Sequence, residues 1–208
     1  MPFGLTDLSD DITVADRHDA PLIAHITAQA FANDPFNQWV FGNVRGMNAA
    51  FLSMARHIYA PHGICHHIDG KAATMWMPAG GNASLPLRAM PTLAVNIVRR
   101  SGVAALRRAL LTDAAMHAQK PTHPYLYLFT IGVVPSAQGR GIGHRLLAPM
   151  LRAADRAGLP TYLENSNPAN HAFYAGHGFE TQQIFHVRQD APPLETMMRV
   201  GTSIGAYL

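Results

Sequence analysis

An apolar run, a glycine-rich turn and a helical pattern follow one another in TIGVVPSAQGRGIGHRLL, residues 130–147. The first backbone N–H groups of a helix have no partners within it, and the helix dipole adds positive charge at that end. Glycines let several of these N–H groups converge, and they leave room for a ligand to approach the backbone. The pattern therefore predicts an anion site, most typically for phosphate, where the helix begins.

Three interpretations of the glycines Gly139, Gly141 and Gly143 compete. A turn without a ligand is less favoured, because a single glycine would be enough for it and Arg140 lies within the series. A dinucleotide site would also use Glu164, which ends the next predicted strand, but its fingerprint is G-x-G-x-x-G rather than the G-x-G-x-G seen here. A P-loop is excluded because no Gly-Lys-Ser/Thr follows. Coenzyme A is the third interpretation, and other motifs support it.

Length and composition indicate a folded globular protein. The chain has 208 residues, of which 48% are hydrophobic and 14% charged, and this fits a single domain over residues 1–208. Its net charge of +3 is mild and includes no block of like charges, so we expect no nucleic-acid partner. A single cysteine, no secretory pattern at the start and no apolar stretch long enough for a bilayer predict a cytoplasmic protein without a membrane partner.

The hydrophobic periodicity predicts one mixed α/β domain. In the first half the expected elements are a strand at 12–14, helices at 20–32 and 47–60, a hairpin at 63–78 with an Asp69-Gly70 turn, a loop at 79–91 and a helix at 92–118 broken near Ser101-Gly102. In the second half they are a strand at 125–134, a helix at 141–157, a strand at 160–165, a short helix at 168–178 and two antiparallel strands at 179–187 and 194–200. Asn33-Asp34-Pro35 and Pro61 are expected to end the first two helices.

Two sequence blocks resemble the GNAT N-acetyltransferase superfamily. Residues 138–143, Gln-Gly-Arg-Gly-Ile-Gly, match that family's pyrophosphate loop Q/R-x-x-G-x-G/A, and NHAFYAGHGF at 170–179 is similar to its Asn, Tyr and Gly-Phe element on the following helix. The resemblance is close over residues 124–188, the expected acetyl-CoA-binding core. It extends to the puromycin N-acetyltransferase type through FTIGVVPSAQGRGIG, ETMMR and AFANDP, whereas residues 40–120 follow it only in the order of their elements.

The resemblance implies a central mixed sheet whose two parallel strands, 125–134 and 160–165, splay apart to hold acetyl-CoA. A splayed strand offers free N–H and C=O groups that an amide-bearing ligand can satisfy. The cofactor-binding residues that follow from the family's motifs are Ile131 and Val133 for the pantetheine arm, Gln138, Gly139, Arg140, Gly141 and Gly143 for the pyrophosphate, and Asn170 on the next helix.

The implied reaction is direct transfer of an acetyl group from the thioester to a primary amine in a ternary complex. Amines titrate near ~10, so a base is needed at neutral pH. Tyr174 is the predicted acid for the leaving thiolate, and a backbone N–H such as that of Val133 polarises the carbonyl. Glu164 is either the base or a structural carboxylate. Asp34 is a weaker candidate for binding a cationic acceptor, and a helix-ending role before Pro35 is favoured for it.

The histidines suggest no metal site. Residues 62–67 hold three histidines and one cysteine, but in a hairpin strand His66 and His67 point to opposite faces, and no second cluster has ligand spacing. We therefore predict acetyl-CoA as co-substrate and no metal. His123 and His177 flank the predicted cleft and are kept as candidate proton-relay groups.

The acceptor is the least constrained part of the prediction. We expect a small-molecule amine, with a protein N-terminus or lysine as the alternative within the fold and a non-catalytic CoA-binding or sensing module as the alternative from another class. A protein acceptor needs an open groove, whereas a small molecule needs a closed pocket. Residues 40–120 decide between the two, and the assembly, including a homodimer, stays open.

Overall fold

The computed structural model describes residues 8–201, which form a seven-stranded sheet with helices on both faces. The strands are β1 (Thr13–Val14), β2 (Ile64–Ile68), β3 (Ala72–Met77), β4 (Leu126–Val133), β5 (Thr161–Asn165), β6 (Glu180–Phe185) and β7 (Leu194–Arg199). The α-helices are α1 (Ala20–Ala30), α2 (Pro35–Phe41), α3 (Val44–Met54), α4 (Ala60–His62), α5 (Met90–Gln119), α6 (Ile142–Arg156) and α7 (His171–Ala175). The predicted outer bounds of the domain, residues 1 and 208, lie outside the described part.

The strand order across the sheet is β1-β2-β3-β4-β5-β7-β6. Strands β4 and β5 are parallel, and the other neighbouring pairs in the described residues are antiparallel. The predicted hairpin is confirmed: residues 69–71 join β2 to β3, and Asp69 and Gly70 have the positive φ angles, 42° and 64°, of a tight hairpin turn. The mixed α/β class with a central mixed sheet is therefore confirmed.

Helices cover the sheet on both faces. On one face α1 and α3 contribute Ile23, Ile26 and Phe51 to an apolar cluster with β-strand residues. On the other face Leu147 and Met150 of α6 pack in a second cluster under β3 and β4. Since both faces are buried, strand β4 is apolar along most of its length, as its sequence predicted.

The two predicted helix ends at prolines differ from the structure. Helix α1 ends at Ala30, and Asp34 begins the next helix: its side chain accepts a hydrogen bond of 2.7 Å from the N–H of Asn37. Pro35 then occupies the first turn of α2, where its missing N–H costs nothing. Pro61 does not end a helix directly either. A π-helical turn over Ala55–Tyr59 joins α3 to the short α4, and Pro61 lies inside that last turn.

The break predicted near Ser101-Gly102 is confirmed. Gly102 has φ 85° and ψ 170° inside α5, so two helical halves meet at that residue. Asn43 Nδ2 donates hydrogen bonds to the carbonyl of Arg100, at 3.0 Å, and to Ser101 Oγ, at 3.1 Å. These bonds tie the break to the start of α3. Helix α5 also packs against α2 and α3.

None of the helices within residues 8–201 combines the length and apolarity that a membrane span requires.

Candidate active site

Strands β4 and β5 diverge after three residue pairs. They are paired only from Leu126 with Thr161 to Leu128 with Leu163, although β4 continues to Val133. Beyond that point the β5 side of β4 has no neighbouring strand among the described residues. The backbone groups on this side therefore border an opening in the sheet.

A β-bulge at Phe129 decides which residues of β4 direct their backbone groups toward this opening. In the pairing with β3, Trp76 lies opposite Leu128 and Met75 lies opposite Thr130, so Phe129 is an extra residue on β4. A bulge bends its strand and changes which residues face each edge. Here it coincides with the point where β5 departs, so the bend and the opening occur together.

The hydrogen bonds beyond the bulge identify the residues that face the opening. The N–H of Val134 donates to the carbonyl of Lys71, on the β3 side, at 2.9 Å. Backbone groups of successive strand residues alternate between the two edges. Ile131 and Val133 therefore direct theirs into the opening, as the pantetheine-binding prediction requires. Gln138 Nε2 donates to the Val133 carbonyl at 3.0 Å, so the loop is tied to the strand end.

The glycine-rich loop before α6 is shaped for close approach by a ligand. Gly139 and Gly141 have φ of 75° and 72°, and a Cβ added to either would meet no atom within 4 Å. Gly141 is the N-cap residue of α6, and no side chain caps that end, so the first N–H groups of the helix stay available. Gly143 differs from the other two. A Cβ there would lie 3.2 Å from the ring of Phe173, so this glycine lets α7 pack against α6.

Glu164 lies near the end of β5 and faces a cavity. Tyr127 Oη donates to its Oε2 at 2.7 Å, while its Oε1 is buried with no partner in the described part of the chain. Burial raises the pKa of Glu164 to about 7, although the Tyr127 hydrogen bond and the charge of Lys120 oppose the rise. The Lys120 ammonium lies 5.0 Å from the centre of the Tyr127 ring. Glu164 thus titrates in the range in which a general base is most effective.

Tyr174 and Asn170 lie on the other side of the same cavity. Tyr174 is 8% exposed and packs against Phe173 and Phe179, with ring centroids 5.2 and 6.0 Å away. Burial raises the pKa of the Tyr174 phenol, and the charge of Asp34 raises it further, so the hydroxyl keeps its proton at neutral pH. Asn170 is the exposed residue at the start of α7. The phenol can donate a proton, but it cannot act as a base here.

The cavity has a volume of about 550 Å³ and brings four of the predicted site residues together. These four are Ile131, Asn170, Tyr174 and Glu164. Its floor is the opening between β4 and β5, and its walls come from α2, α3, both halves of α5 and residues 83–85. The remaining predicted residues, Val133, Gln138, Gly139, Arg140, Gly141 and Gly143, are not among its described lining. The site therefore has two parts, joined along β4.

Two polar connections in the site were missed from the sequence. Asp34 Oδ2 accepts a hydrogen bond of 2.7 Å from Ser166 Oγ, which links the start of α2 to the end of β5. Burial raises the pKa of Asp34, and its hydrogen bonds oppose that rise. The Asp-Pro pair is a helix N-cap signal, although in the sequence it was interpreted as the end of α1. Asp34 therefore begins α2 and links it to the residue that follows β5, rather than ending α1.

Glu195 is the centre of the second connection. Its two carboxylate oxygens accept hydrogen bonds from Asn165 Nδ2 at 2.9 Å, from the His171 ring at 2.8 Å and from Thr181 Oγ1. These partners lie on β5, α7 and β6, so one carboxylate on β7 holds the start of α7 against the sheet. No local sequence pattern indicates such a role, because the partners are far apart in the chain.

The histidines do not join the cavity. His66 is buried with both ring nitrogens lacking partners among the described residues, and burial lowers its pKa to about 4. His177 lies between α6 and α7: its Nδ1 donates to the Phe173 carbonyl, and its ring stacks on His144. His123 does not line the cavity either. Within residues 8–201 no group of three or more metal-ligating side chains is found.

Part of the chain matches known acetyltransferases in sequence. Residues 103–179 match the model of the acetyltransferase (GNAT) family. Over 90 residues the chain is 36% identical to an uncharacterized N-acetyltransferase of Schizosaccharomyces pombe, and this alignment covers 42% of the chain. It spans only 36% of that relative's length.

Solved structures share the whole fold. The chain superposes with a TM-score of 0.66 and 24% identity on a structure from Corynebacterium glutamicum described as histone acetyltransferase HPA2 and related acetyltransferase, covering 91% of this chain and 95% of that one. The ribosomal-protein-S18-alanine N-acetyltransferase of Escherichia coli gives a TM-score of 0.53 at 19% identity, with coverage of 95% and 97%. Residues 103–179 thus match the acetyltransferase (GNAT) family in sequence, and the likeness in fold to these solved structures extends over 91% of the chain or more.

Proposed function

We propose that the chain is an N-acetyltransferase that moves the acetyl group of acetyl-CoA to a primary amine of a small molecule by direct transfer in a ternary complex. One observation carries the proposal. A carboxylate with a pKa of about 7 and a buried, protonated phenol border the same cavity at the open edge of β4. These are the base and the acid that acyl transfer to an amine needs.

The cofactor part of the proposal rests on backbone geometry. The family uses acetyl-CoA, and we assign its pantetheine arm to the backbone groups of Ile131 and the N–H of Val133, since the Val133 carbonyl already accepts a hydrogen bond from Gln138. Its pyrophosphate is assigned to residues 138–143, where two left-handed glycines and an uncapped helix end offer N–H groups and Arg140 adds a positive charge. Asn170 would contact the coenzyme from α7. We propose no role for a metal.

Glu164 is proposed as the base. Its Oε1 takes a proton from the ammonium form of the acceptor, and the nitrogen then attacks the acetyl carbonyl carbon with its free electron pair. The nitrogen loses its second proton to water as the amide forms. A free ammonium titrates near ~10, about three pKa units above Glu164, so proton transfer between them is uphill by about 4 kcal/mol. Burial against apolar walls lowers the pKa of the ammonium and narrows this gap. A water molecule between the two groups would serve equally well.

Tyr174 is proposed as the acid. As the carbonyl carbon gains its bond to nitrogen, the bond to sulfur breaks, and Tyr174 Oη gives its proton to the leaving thiolate. The N–H of Val133 is assigned to donate a hydrogen bond to the acetyl carbonyl and so polarise it. The carbonyl of Val133 itself already accepts a hydrogen bond from Gln138. After product release Glu164 returns its proton to solvent and Tyr174 regains one. The net reaction therefore consumes neither residue.

The walled cavity supports a small acceptor over a protein. A polypeptide needs an open groove for its backbone, whereas helices α2, α3 and α5 stand around the opening here. A protein N-terminus or lysine remains the alternative acceptor, and a non-catalytic CoA-binding module the alternative function. The single domain over 1–208, the puromycin-type resemblance, the cytoplasmic location and a homodimer also stay predictions.

Release of free thiol from acetyl-CoA tests the proposal. We expect the wild-type chain to release thiol with at least one class of small amine, and the Tyr174→Phe variant to lose most of that rate. Calorimetric titration with CoA should be run on both proteins. Tight CoA binding by the wild type with no thiol release for any amine or peptide would favour the non-catalytic module and overturn the proposal.

A further inference from the structure

The charged residues that line the cavity all have the same sign. Asp113, on α5, and Glu164 are the acidic residues of its lining, and within residues 8–201 no lysine, arginine or histidine borders it. Asp113 is exposed, whereas the Glu164 carboxyl is buried with one oxygen unpartnered. A cationic group entering the cavity therefore meets the attractive charges of these two lining residues, whereas the Lys120 ammonium lies outside the lining, 5.0 Å from the centre of the Tyr127 ring.

The rest of the cavity is apolar and in large part aromatic. Its walls include Phe31, Phe36, Phe51, Leu106, Leu110 and Met116. Phe31 and Phe51 lie 5.6 Å apart, centroid to centroid, and Phe51 contacts Phe129 of the bulge at 6.5 Å. Aromatic faces attract cations and bury large apolar areas. These walls suit the body of a ligand that carries no further charge.

Helix α5 lines the cavity with both of its halves, and these halves meet at the break at Gly102. Its halves before and after Gly102 both contribute lining residues, at 90–97 and 106–116. Leu110 lines the cavity while remaining 51% exposed, so part of its apolar surface faces water. A ligand with an apolar body would cover that surface.

From these observations, and resting on the proposed function, we infer that the acceptor is a primary amine with an uncharged alkyl or aryl body. The ammonium end points to Glu164 and the apolar body lies between α3 and α5. An acceptor carboxylate would be buried beside two acidic residues without a cationic partner, which is costly. A second ammonium, as in a polyamine, would have to lie against apolar walls.

A homologous series of amines tests the inference. Thiol release from acetyl-CoA is measured with straight-chain amines from propylamine to octylamine, with spermidine as the polycation, β-alanine as the acceptor with an anion, and a short peptide. Each buried methylene should raise kcat/KM roughly four-fold until the cavity is filled. We expect kcat/KM for octylamine to exceed that for spermidine or β-alanine about a hundred-fold. This factor is smaller than the one expected from burying all five methylenes that separate octylamine from propylamine.

A matched pair of variants locates the effect on α5. Leu110→Asp adds a charge to the wall, and we expect it to lower kcat/KM for octylamine about ten-fold and to flatten the chain-length series. Val103→Asp is the control, because Val103 is 70% exposed on the same helix and does not line the cavity. It should leave the series unchanged. Equal effects of both variants would contradict the assignment of this wall.

The outcomes separate the two proposals. A flat series, or spermidine, β-alanine or the peptide as the best acceptor, would overturn the inferred substrate class while leaving an N-acetyltransferase in place. No thiol release with any of these amines would instead remove the proposed function itself.

Discussion

The two parts of the site are built from different chemical groups. In the part that we assign to the coenzyme, the opening in β4 and the loop before α6 present backbone N–H and C=O groups, and the residues there are glycines and strand residues. In the part that we assign to the acceptor, side chains from α2, α3 and α5 form the walls. A backbone site demands particular φ angles and so leaves a motif in the sequence. A side-chain wall accepts many apolar residues at many positions, so it leaves none.

Tyr174→Phe should produce the largest effect, because Tyr174 is the proposed acid for the leaving thiolate. The variant keeps the ring and its packing and loses only the hydroxyl. We expect kcat to fall by about 10²–10⁴-fold, the contribution typical of general acid catalysis. Affinity for acetyl-CoA, measured by calorimetry, should change little. Wild-type turnover by a folded Tyr174→Phe protein would show that the phenol serves packing alone.

Gly141→Asp should damage the coenzyme side by itself. The substitution strains a left-handed residue and places a negative charge where the pyrophosphate is assigned, so we expect CoA affinity to fall on the order of 100-fold. Gly141→Asn is the matched control, since asparagine tolerates this conformation and carries no charge. Its loss should be much smaller. If both variants bind CoA as tightly as the wild type does, the loop is not the phosphate site.

Glu164→Gln separates catalysis from structure on the acceptor side. If Glu164 is the base, the rate at neutral pH should fall and the acidic limb of the kcat/KM profile near pH 7 should vanish. The Tyr127 hydrogen bond can persist in this variant, because the amide oxygen still accepts. An acidic limb that stays in place would transfer the role to an ordered water or to an acceptor that arrives neutral.

The same variant should change stability in a pH-dependent way. The pKa of Glu164 is about 7 in the folded chain, whereas a glutamate free of the fold titrates near 4.5. Between pH 4.5 and pH 7 the folded chain therefore holds a proton that the unfolded chain has lost. Wild-type stability should therefore fall as pH rises from 4.5 to 7, by up to about 3 kcal/mol from this group. Glu164→Gln should lack that fall and be the more stable protein at pH 8 by chemical denaturation. A less stable variant at pH 8 would indicate a structural carboxylate.

Tyr127→Phe should give the smallest effect. Removing its hydroxyl takes away a hydrogen bond that lowers the pKa of Glu164, so the acidic limb should move up by about one pH unit. Tyr125→Phe is the control, because Tyr125 contacts the Tyr127 ring and has no described hydrogen bond to Glu164. An unmoved limb in the Tyr127→Phe profile would mean that the bond does not tune the base.

Much of the fold follows from local patterns. The hairpin turn, the break at Gly102 and the glycine loop were all predicted, since each depends on residues adjacent in the chain. The two proline predictions were incomplete. The start of α2 at Pro35 uses the local N-cap bond between Asp34 and Asn37, and only the contact of Asp34 with Ser166 joins residues far apart in the chain. Gly143 was predicted to bind the cofactor, and its close packing against Phe173 was not foreseen.

Sequence alone was sufficient for the shape of the glycine loop and for most of the order of the elements, because glycine spacing and hydrophobic periodicity act within a few residues. Only the tertiary structure decided the character of the acceptor cavity and the pKa of Glu164. That pKa depends on burial and on two groups from other segments, the Tyr127 hydroxyl and the Lys120 charge. Burial and electrostatic effects sum over whatever the fold brings together, and no local pattern contains that sum.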